Sequence, residues 1–317
     1  MKQYDKNIIG KQAKELGFIR DTFEKVCRLI DVLSYFHSDL ILSNNLALKG
    51  GTAINLTIFN LPRLSVDIDL DYVSYTTKEE MLVERQIINE RITKYMISSG
   101  YKLSDKSKQY HALDSFIFEY INAGEVKDNL KIEINYMLRN HIFPLVNEKI
   151  NAPWLDNTLS VLCVNPIEIF ASKTAALLNR GASRDLYDIY NMQKHYHLSK
   201  EEMELFKKCI LFYIAISFKT IPLRIEFNKI NDFSSYRIKT ELLPVLRNGE
   251  KFDLNAAQEN VIKYLKDNII LTDSELAFLD NFYNKIYCPE LLFDDNEIIN
   301  RIIDHPMALW KCNISKK

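Results

Sequence analysis

The chain has 317 residues, 47% hydrophobic and 26% charged, with only 8 Gly and 8 Pro. That is globular composition with enough apolar material for a normal core, and it excludes long low-complexity or disordered tracts. A formal net charge of −1, from 41 basic and 42 acidic residues, excludes a global electrostatic pull toward nucleic acid or anionic membrane, while leaving room for a local basic groove.

The N-terminus, residues 1–20, is polar and lacks the apolar centre of a signal peptide. No run of about 18 apolar residues occurs, and the longest apolar-rich piece, Cys209 to Phe218, is too short to span a membrane. Five cysteines at 27, 163, 209, 288 and 312 are scattered and odd in number, which fits neither a disulfide framework nor a zinc site. They read as reduced packing residues of a cytoplasmic protein.

In chain order, Phe23, Val26, Cys27, Ile30, Leu33 and Phe36 recur at helical spacing and predict a helix over 20–42. Leu46 to Lys49 reads as a short strand ending at Gly50-Gly51, and Thr52 to Phe59 as a short helix stopped by Pro62. Ser65 to Tyr72 alternates polar and apolar, the pattern of a half-buried strand. Residues 78–98 predict an amphipathic helix on Leu82, Ile88, Ile92 and Met96, ending near Gly100. Two strands follow, at 115–121 and 130–137. In the second, Lys131, Glu133 and Asn135 share one face and Leu130, Ile132, Ile134 and Tyr136 the other.

From Asn165 onward the pattern is helical. Asn165-Pro166-Ile167-Glu168 joins a favoured cap, a first-turn proline and a glutamate placed to close a capping box. Further helices are predicted at 184–195, 200–217, 235–246, 255–268 and 272–286. The order is mixed α and β, then all α, with the division between Trp154 and Pro166, giving domains 1–160 and 161–317.

Residues i and i+2 of a strand point the same way, so Asp67, Asp69 and Asp71 share a face, with Val66, Ile68 and Leu70 behind. If the strand carrying Glu133 is a neighbour, Asp67, Asp69 and Glu133 converge. Converging carboxylates repel unless protonated or bridged by a divalent cation, and oxygen-only ligands suit Mg²⁺, which in turn binds phosphates. Asp-x-Asp alone is also what an ordinary solvated strand face looks like. The upstream Lys49-Gly50-Gly51-Thr52 changes the balance. A strand, two glycines and a helix start expose backbone N–H groups that favour an anion, with Thr52 placed to cap the helix or to bond a phosphate. By itself, Gly-Gly-Thr is more often just a tight turn.

On the helix from Pro166, Lys173 lies about 40° from Leu177 and about 60° from Phe170 at 100° per residue, on the inward face. Arg180 continues the same stripe, with Ala176 between them. An inward ammonium needs an anionic partner, either a triphosphate or an acidic site, unless it snorkels at the helix edge. Gly181 then stops this helix and Ser183 caps the next. There Asp185 and Asp188 share a face, and Arg184 is spaced to pair with Asp188. Asp185 also suits a plain helix N-terminus.

Taken together, Lys49-Gly50-Gly51-Thr52, Arg63-x-Ser65-x-Asp67-Ile68-Asp69-Leu70, Lys131-Ile132-Glu133-Ile134, Lys173 and Arg184-Asp185-x-x-Asp188 resemble the AbiEii/AbiGii-type nucleotidyltransferase toxins, members of the DNA polymerase β-like superfamily. The match covers residues 45–190, and the ending His305 to Lys311 resembles the tails of such chains. The superfamily turn is commonly Gly-Ser; here Thr52 keeps the hydroxyl.

The resemblance implies an α+β fold: a small mixed sheet with flanking helices, then an all-α C-terminal domain contributing Lys173 and Asp188 to the site. It implies a toxin of a toxin–antitoxin or phage-defence system, using an NTP and Mg²⁺ (or Mn²⁺) and opposed by a cognate antitoxin. Asp67 and Asp69 are then metal ligands with Glu133 as a third. Lys173 contacts the phosphates, Asp188 is a catalytic carboxylate, and Gly50, Gly51, Thr52, Arg184 and Asp185 bind the nucleotide. The expected reaction moves an NMP unit to an RNA hydroxyl, a tRNA 3′ end among the candidates. The alternatives are nucleotidylation of a protein or small molecule, or a non-catalytic nucleotide-binding module. Loss of Lys173 is expected to weaken NTP binding with little cost to the unliganded protein.

Overall fold

The computed structural model describes residues 3–74, 76–155, 158–222, 224–233 and 235–313. The chain forms two compact units. One comprises 1–139, 145–163 and 244–250; the other comprises 140–144, 164–243 and 251–317. The division of the main chain thus follows Cys163, and two short segments, 140–144 and 244–250, each belong to the unit on the other side of it.

The first unit opens with α1 (Lys6–Leu16), α2 (Arg20–Ser38) and α3 (Leu40–Asn45). The apolar repeat of α2 buries Phe23, Val26, Cys27, Ile30, Leu33 and Phe36. The helix expected to reach 42 stops at Ser38, because Asp39 adopts an extended backbone and caps α3, accepting from the amides of Ile41 and Leu42. Then come β1 (Leu46–Leu48), the short helix α4 (Gly50–Ala53) widening into a π-type turn over Ile54–Ile58, β2 (Asp67–Tyr72) and α5 (Lys78–Ser98). Thr77 and Glu80 close a capping box at the start of α5. The buried stripe of α5 is Met81, Ile88, Ile92 and Met96, and Leu82 faces solvent. Met81 rather than Leu82 falls in line with the other three at 100° per residue.

The sheet is completed by β3 (Lys102–Leu103), β4 (Lys108–Gln109), β5 (Leu113–Ile121), β6 (Lys127–Asn135), β7 (Val146–Lys149) and β8 (Ser160–Cys163). Among the described residues its order is β3-β5-β6-β2-β1-β8-β7, with β4 on the same edge of β5 as β3. The pairs β2–β6 and β1–β8 are parallel, and the others antiparallel. One face is core, formed by Leu48, Ile68, Leu70, Ile132, Ile134, Phe116 and Phe118. The segment 244–250 is stitched to this unit: the Leu64 amide donates to the Val245 carbonyl at 2.8 Å and Arg247 Nε to the Leu61 carbonyl at 3.1 Å.

The second unit is helical: α6 (Pro166–Arg180), α7 (Ser183–His195), α8 (Lys200–Ser217), α9 (Asn228–Asn231), α10 (Ser235–Arg237), α11 (Leu254–Asn268), α12 (Asp273–Tyr283), α13 (Asn296–Ile302) and α14 (Pro306–Lys311). Asn165 caps α6 through the Ile167 amide, with Pro166 in the first turn. Glu168 closes no capping box. It is buried, accepting from the amides of Ile142 and Phe143, from Tyr213 Oη at 2.8 Å, and lying 3.2 Å from His141 Nδ1. Gly181 ends α6 with φ +57°, and a Cβ there would stand 2.6 Å from the Lys229 carbonyl, so the stop is fixed by both backbone and space. No helix of the described residues is long and apolar enough to cross a membrane.

Candidate active site

The acidic residues gather on the non-core face of the sheet. In the β2–β6 register Asp67 stands opposite Lys131, Asp69 opposite Glu133 and Asp71 opposite Asn135. Partners across a ladder share a face, so Glu133 does lie beside Asp69. Asp67 and Asp69 are half-buried, whereas Asp71 is buried and receives Lys49 Nζ. Lys131 Nζ lies 2.8 Å from Glu133 Oε1. Burial pulls the Lys131 ammonium toward neutrality, but the Glu133 hydrogen bond and the charges of Glu133, Asp67 and Asp69 outweigh it and hold its pKa above the ordinary lysine value. Asp67, Asp69, Asp71 and Glu133 thus share this face with the ammoniums of Lys49 and Lys131.

The glycine turn is built against the same carboxylates. Gly50 has φ +66°, and a Cβ there would stand 2.7 Å from Asp69 Oδ2. The Lys49 amide donates to the Asp69 carbonyl at 2.9 Å. A Cβ at Gly51 would meet the Arg63 guanidinium at 2.7 Å and Ser65 Oγ at 3.0 Å. Thr52 is buried. Its hydroxyl donates to the Asp67 carbonyl and lies 3.0 Å from Ser65 Oγ, so it anchors the acidic strand and caps no helix. Gly50 and Gly51 therefore let the first turn of α4 lie flat on Asp69 and Arg63.

The donor set fits Mg²⁺ or Mn²⁺ through Asp67 and Asp69: hard oxygens, i and i+2 on one half-buried strand face. Mg²⁺ commonly takes one or two carboxylates and fills its remaining positions with water and substrate phosphate. Among the described residues no three His, Cys, Asp or Glu side chains are grouped closely enough to hold a metal, and the Glu133 carboxylate is engaged with Lys131.

In the helical unit, Lys173 finds its anionic partners on α7. Its Nζ lies 3.0 Å from Asp185 Oδ1 and 3.1 Å from Asp188 Oδ2, and both carboxylates are at most 2% exposed. Arg180 reaches back from an exposed position to Asp185, with its Nε at 3.0 Å and the guanidinium's closest approach at 2.9 Å. Asp188 is therefore bound by Lys173 across the two helices. Arg184, spaced to pair with it, has no hydrogen-bond or ion-pair partner among the described residues. Ser183 is the first residue of α7, after the Ala182 N-cap, and its hydroxyl donates to Glu241. Two buried carboxylates sharing one ammonium run against the expectation that Lys173 is dispensable to the unliganded fold.

Sequence patterning located the acids and left out their counter-cations. Lys131 was visible as a same-face neighbour of Glu133. Lys49, directly before the glycines, carried no signal that it would turn back onto Asp71.

Comparison with known proteins adds the following. A family model described as "Nucleotidyl transferase AbiEii toxin, Type IV TA system" matches residues 32–256. No curated protein matches the sequence. Among solved structures, MenT4, a nucleotidyltransferase toxin of Mycobacterium tuberculosis H37Rv, superposes with a TM-score of 0.63 at 16% identity, over 96% of this chain and 99% of that one.

Proposed function

This chain belongs to the AbiEii family of nucleotidyltransferase toxins of type IV toxin–antitoxin systems, and on that premise we propose that it transfers an NMP unit from an NTP to an RNA hydroxyl. A tRNA 3′ end is one acceptor among the candidates, and the cytoplasm, where NTPs and RNA meet, is the place of action. The family implies an antitoxin counterpart, which we take to be encoded beside the toxin.

The observation that carries the reading is the contact between turn and acids: Asp67 and Asp69 share one accessible strand face, and the Gly50 backbone lies directly against Asp69. In the transfer the acceptor hydroxyl gives up its proton to solvent, its oxygen bonds to the α-phosphorus, the bond to the bridging oxygen of the β-phosphate breaks, and pyrophosphate leaves. A divalent ion, when bound, supplies positive charge to the phosphate oxygens and to the attacking oxygen. Asp67 and Asp69 would hold it, on a strand whose register is fixed on both sides by β1 and β6. Gly50 and Gly51 keep side-chain bulk away from the phosphates. Thr52 and Ser65 tie the turn to the strand, so that turn and carboxylates keep one spacing.

The test is incubation of the purified protein with each α-labelled NTP and total cellular RNA or protein. We expect label in RNA, lost on the order of 10³-fold in a folded Asp69→Asn variant, the scale of removing a central charge-stabilising group. Label confined to protein or small molecules would move the acceptor class. Full activity in folded Asp67→Asn/Asp69→Asn would refute the proposal.

A further inference from the structure

The acidic face carries its own cation. Lys131 stands opposite Asp67 in the β2–β6 ladder, and its Nζ is fixed at 2.8 Å from Glu133 Oε1, the residue opposite Asp69. Its partner on the far side of the face, Lys49, is committed to buried Asp71. The two lysines differ in setting: the Asp71 carboxylate is 2% exposed, whereas Lys131 and Glu133 are 36% and 25% exposed. The Lys49–Asp71 pair is thus buried on its carboxylate side, with Lys49 23% exposed, while both members of the Lys131–Glu133 pair reach solvent.

We propose that Lys131 is a resident counter-cation of the Asp67–Asp69 site, which holds Glu133 away from the metal and which the incoming divalent ion has to compete with. The inference rests on the reading of Asp67 and Asp69 as metal ligands. It gives Lys131 a positioning role, acting through the carboxylates.

The physical argument is one of charge and of ligand supply. An ammonium among three carboxylates supplies part of the field that a divalent ion would otherwise provide, so it lowers the gain on metal binding. Glu133, hydrogen-bonded to that ammonium, is the nearest residue in register that would complete a three-acid set, and no such set is assembled among the described residues. With two protein carboxylates only, the remaining oxygens must come from water or from a substrate phosphate. Lys131 thereby makes the site a weak binder of free metal and a strong one when the triphosphate arrives with its own oxygens and charge. The raised pKa of Lys131, caused in part by the charges of Asp67 and Asp69, agrees with this placement.

The test uses Mn²⁺ alone as the probe, titrated into nucleotide-free full-length protein and read by the loss of the free-ion EPR signal. Parent, Lys131→Met, Lys131→Arg and Asp69→Asn are compared, with circular dichroism as the folding control. Met keeps the apolar stem and half-exposed packing of the lysine while dropping the charge. We expect Lys131→Met to bind Mn²⁺ about tenfold more tightly than parent, the effect of removing one nearby like charge. Lys131→Arg should stay near the parent value, and Asp69→Asn should bind more weakly. Glu133→Gln in the Lys131→Met background should reverse much of the gain, because the carboxylate released by the first change is the new ligand. Asp69-dependent binding that Lys131→Met leaves unchanged or weakens overturns this inference alone. Binding insensitive to Asp69→Asn overturns it together with the metal reading of the site.

Discussion

Replacing Lys173 with Met removes the ammonium shared by Asp185 and Asp188 while keeping its apolar stem on α6. Both carboxylates are at most 2% exposed, so water cannot take over their neutralisation without opening the α6–α7 contact. Removing one partner of a buried ion pair costs about 3–5 kcal/mol, because the remaining charge stays desolvated. Arg180 keeps its own bond to Asp185, which places this case near the lower end, ~3 kcal/mol. For a cooperative unit of 150–250 residues each kcal/mol moves Tm by about 2–4 °C, so the expected loss is about 6–12 °C. Differential scanning calorimetry of the metal-free, nucleotide-free protein reads this directly. Lys173→Arg should restore most of it, and adding Asp188→Asn to Lys173→Met should recover part, because it removes one of the two buried carboxylates that shared the ammonium. A Lys173→Met protein that melts within about 1 °C of the parent would falsify the claim that this ion cluster holds the two helices together.

Gly50→Ala places a methyl 2.7 Å from Asp69 Oδ2 on a backbone with φ +66°; we expect about 1–2 kcal/mol of strain, weaker Mn²⁺ binding and at least a tenfold loss of transfer, and parental transfer would show that the close approach is unimportant. Asp39 caps α3 and accepts from Arg91; burial pushes its carboxyl up, but the Arg91 and backbone hydrogen bonds outweigh that and hold it below the usual aspartate range. A depressed folded-state pKa contributes stability that is present above the unfolded value of about 3.9 and lost as pH falls through the folded value. Asp39→Ala should therefore cost about 1 kcal/mol in urea unfolding at pH 7, with the gap between the two proteins closing as pH falls below the unfolded aspartate value of about 3.9; a pH-independent gap would refute the electrostatic account.

The elements easiest to read from sequence were those where one periodicity governs. The β2 alternation put Ile68 and Leu70 in the core and the aspartates on the other face, and Asn165-Pro166 marked the start of α6. Alternation says nothing about depth along a strand. Asp71 obeys the same pattern as Asp67 and Asp69, yet it is buried and bound to Lys49, the residue that follows the strand paired beside that end of β2. The helical angle of Lys173 gave its inward direction but not its partners, which lie on the next helix. Glu168 had the spacing of a capping box, and its carboxylate went instead to amides and side chains brought in from 141–143 and 213. Short elements such as β7, β8 and α14 carry too few residues for either period to emerge.

The fold likeness to MenT4 extends over nearly the whole of both chains at 16% identity. At that distance the shared fold depends on pattern: which strand positions face the core and where helices stop. Many sequences satisfy those demands, so the fold alone cannot select a site. The site is selected where the chain gives up freedom that the fold does not need. A sheet of this topology is satisfied by any polar residue on the outer face of β2 and by any residue at position 50 with room for its Cβ. Here position 50 has no such room, and the atom that would be struck belongs to Asp69. Like charges at i and i+2 on one face are unfavourable for the strand itself, and two lysines are committed to offsetting them. A structural strand would be more stable with neutral residues at these positions. On the proposed function that cost is accepted for a ligand: the face of Asp67 and Asp69 is kept acidic for the divalent cation and the phosphates it would carry.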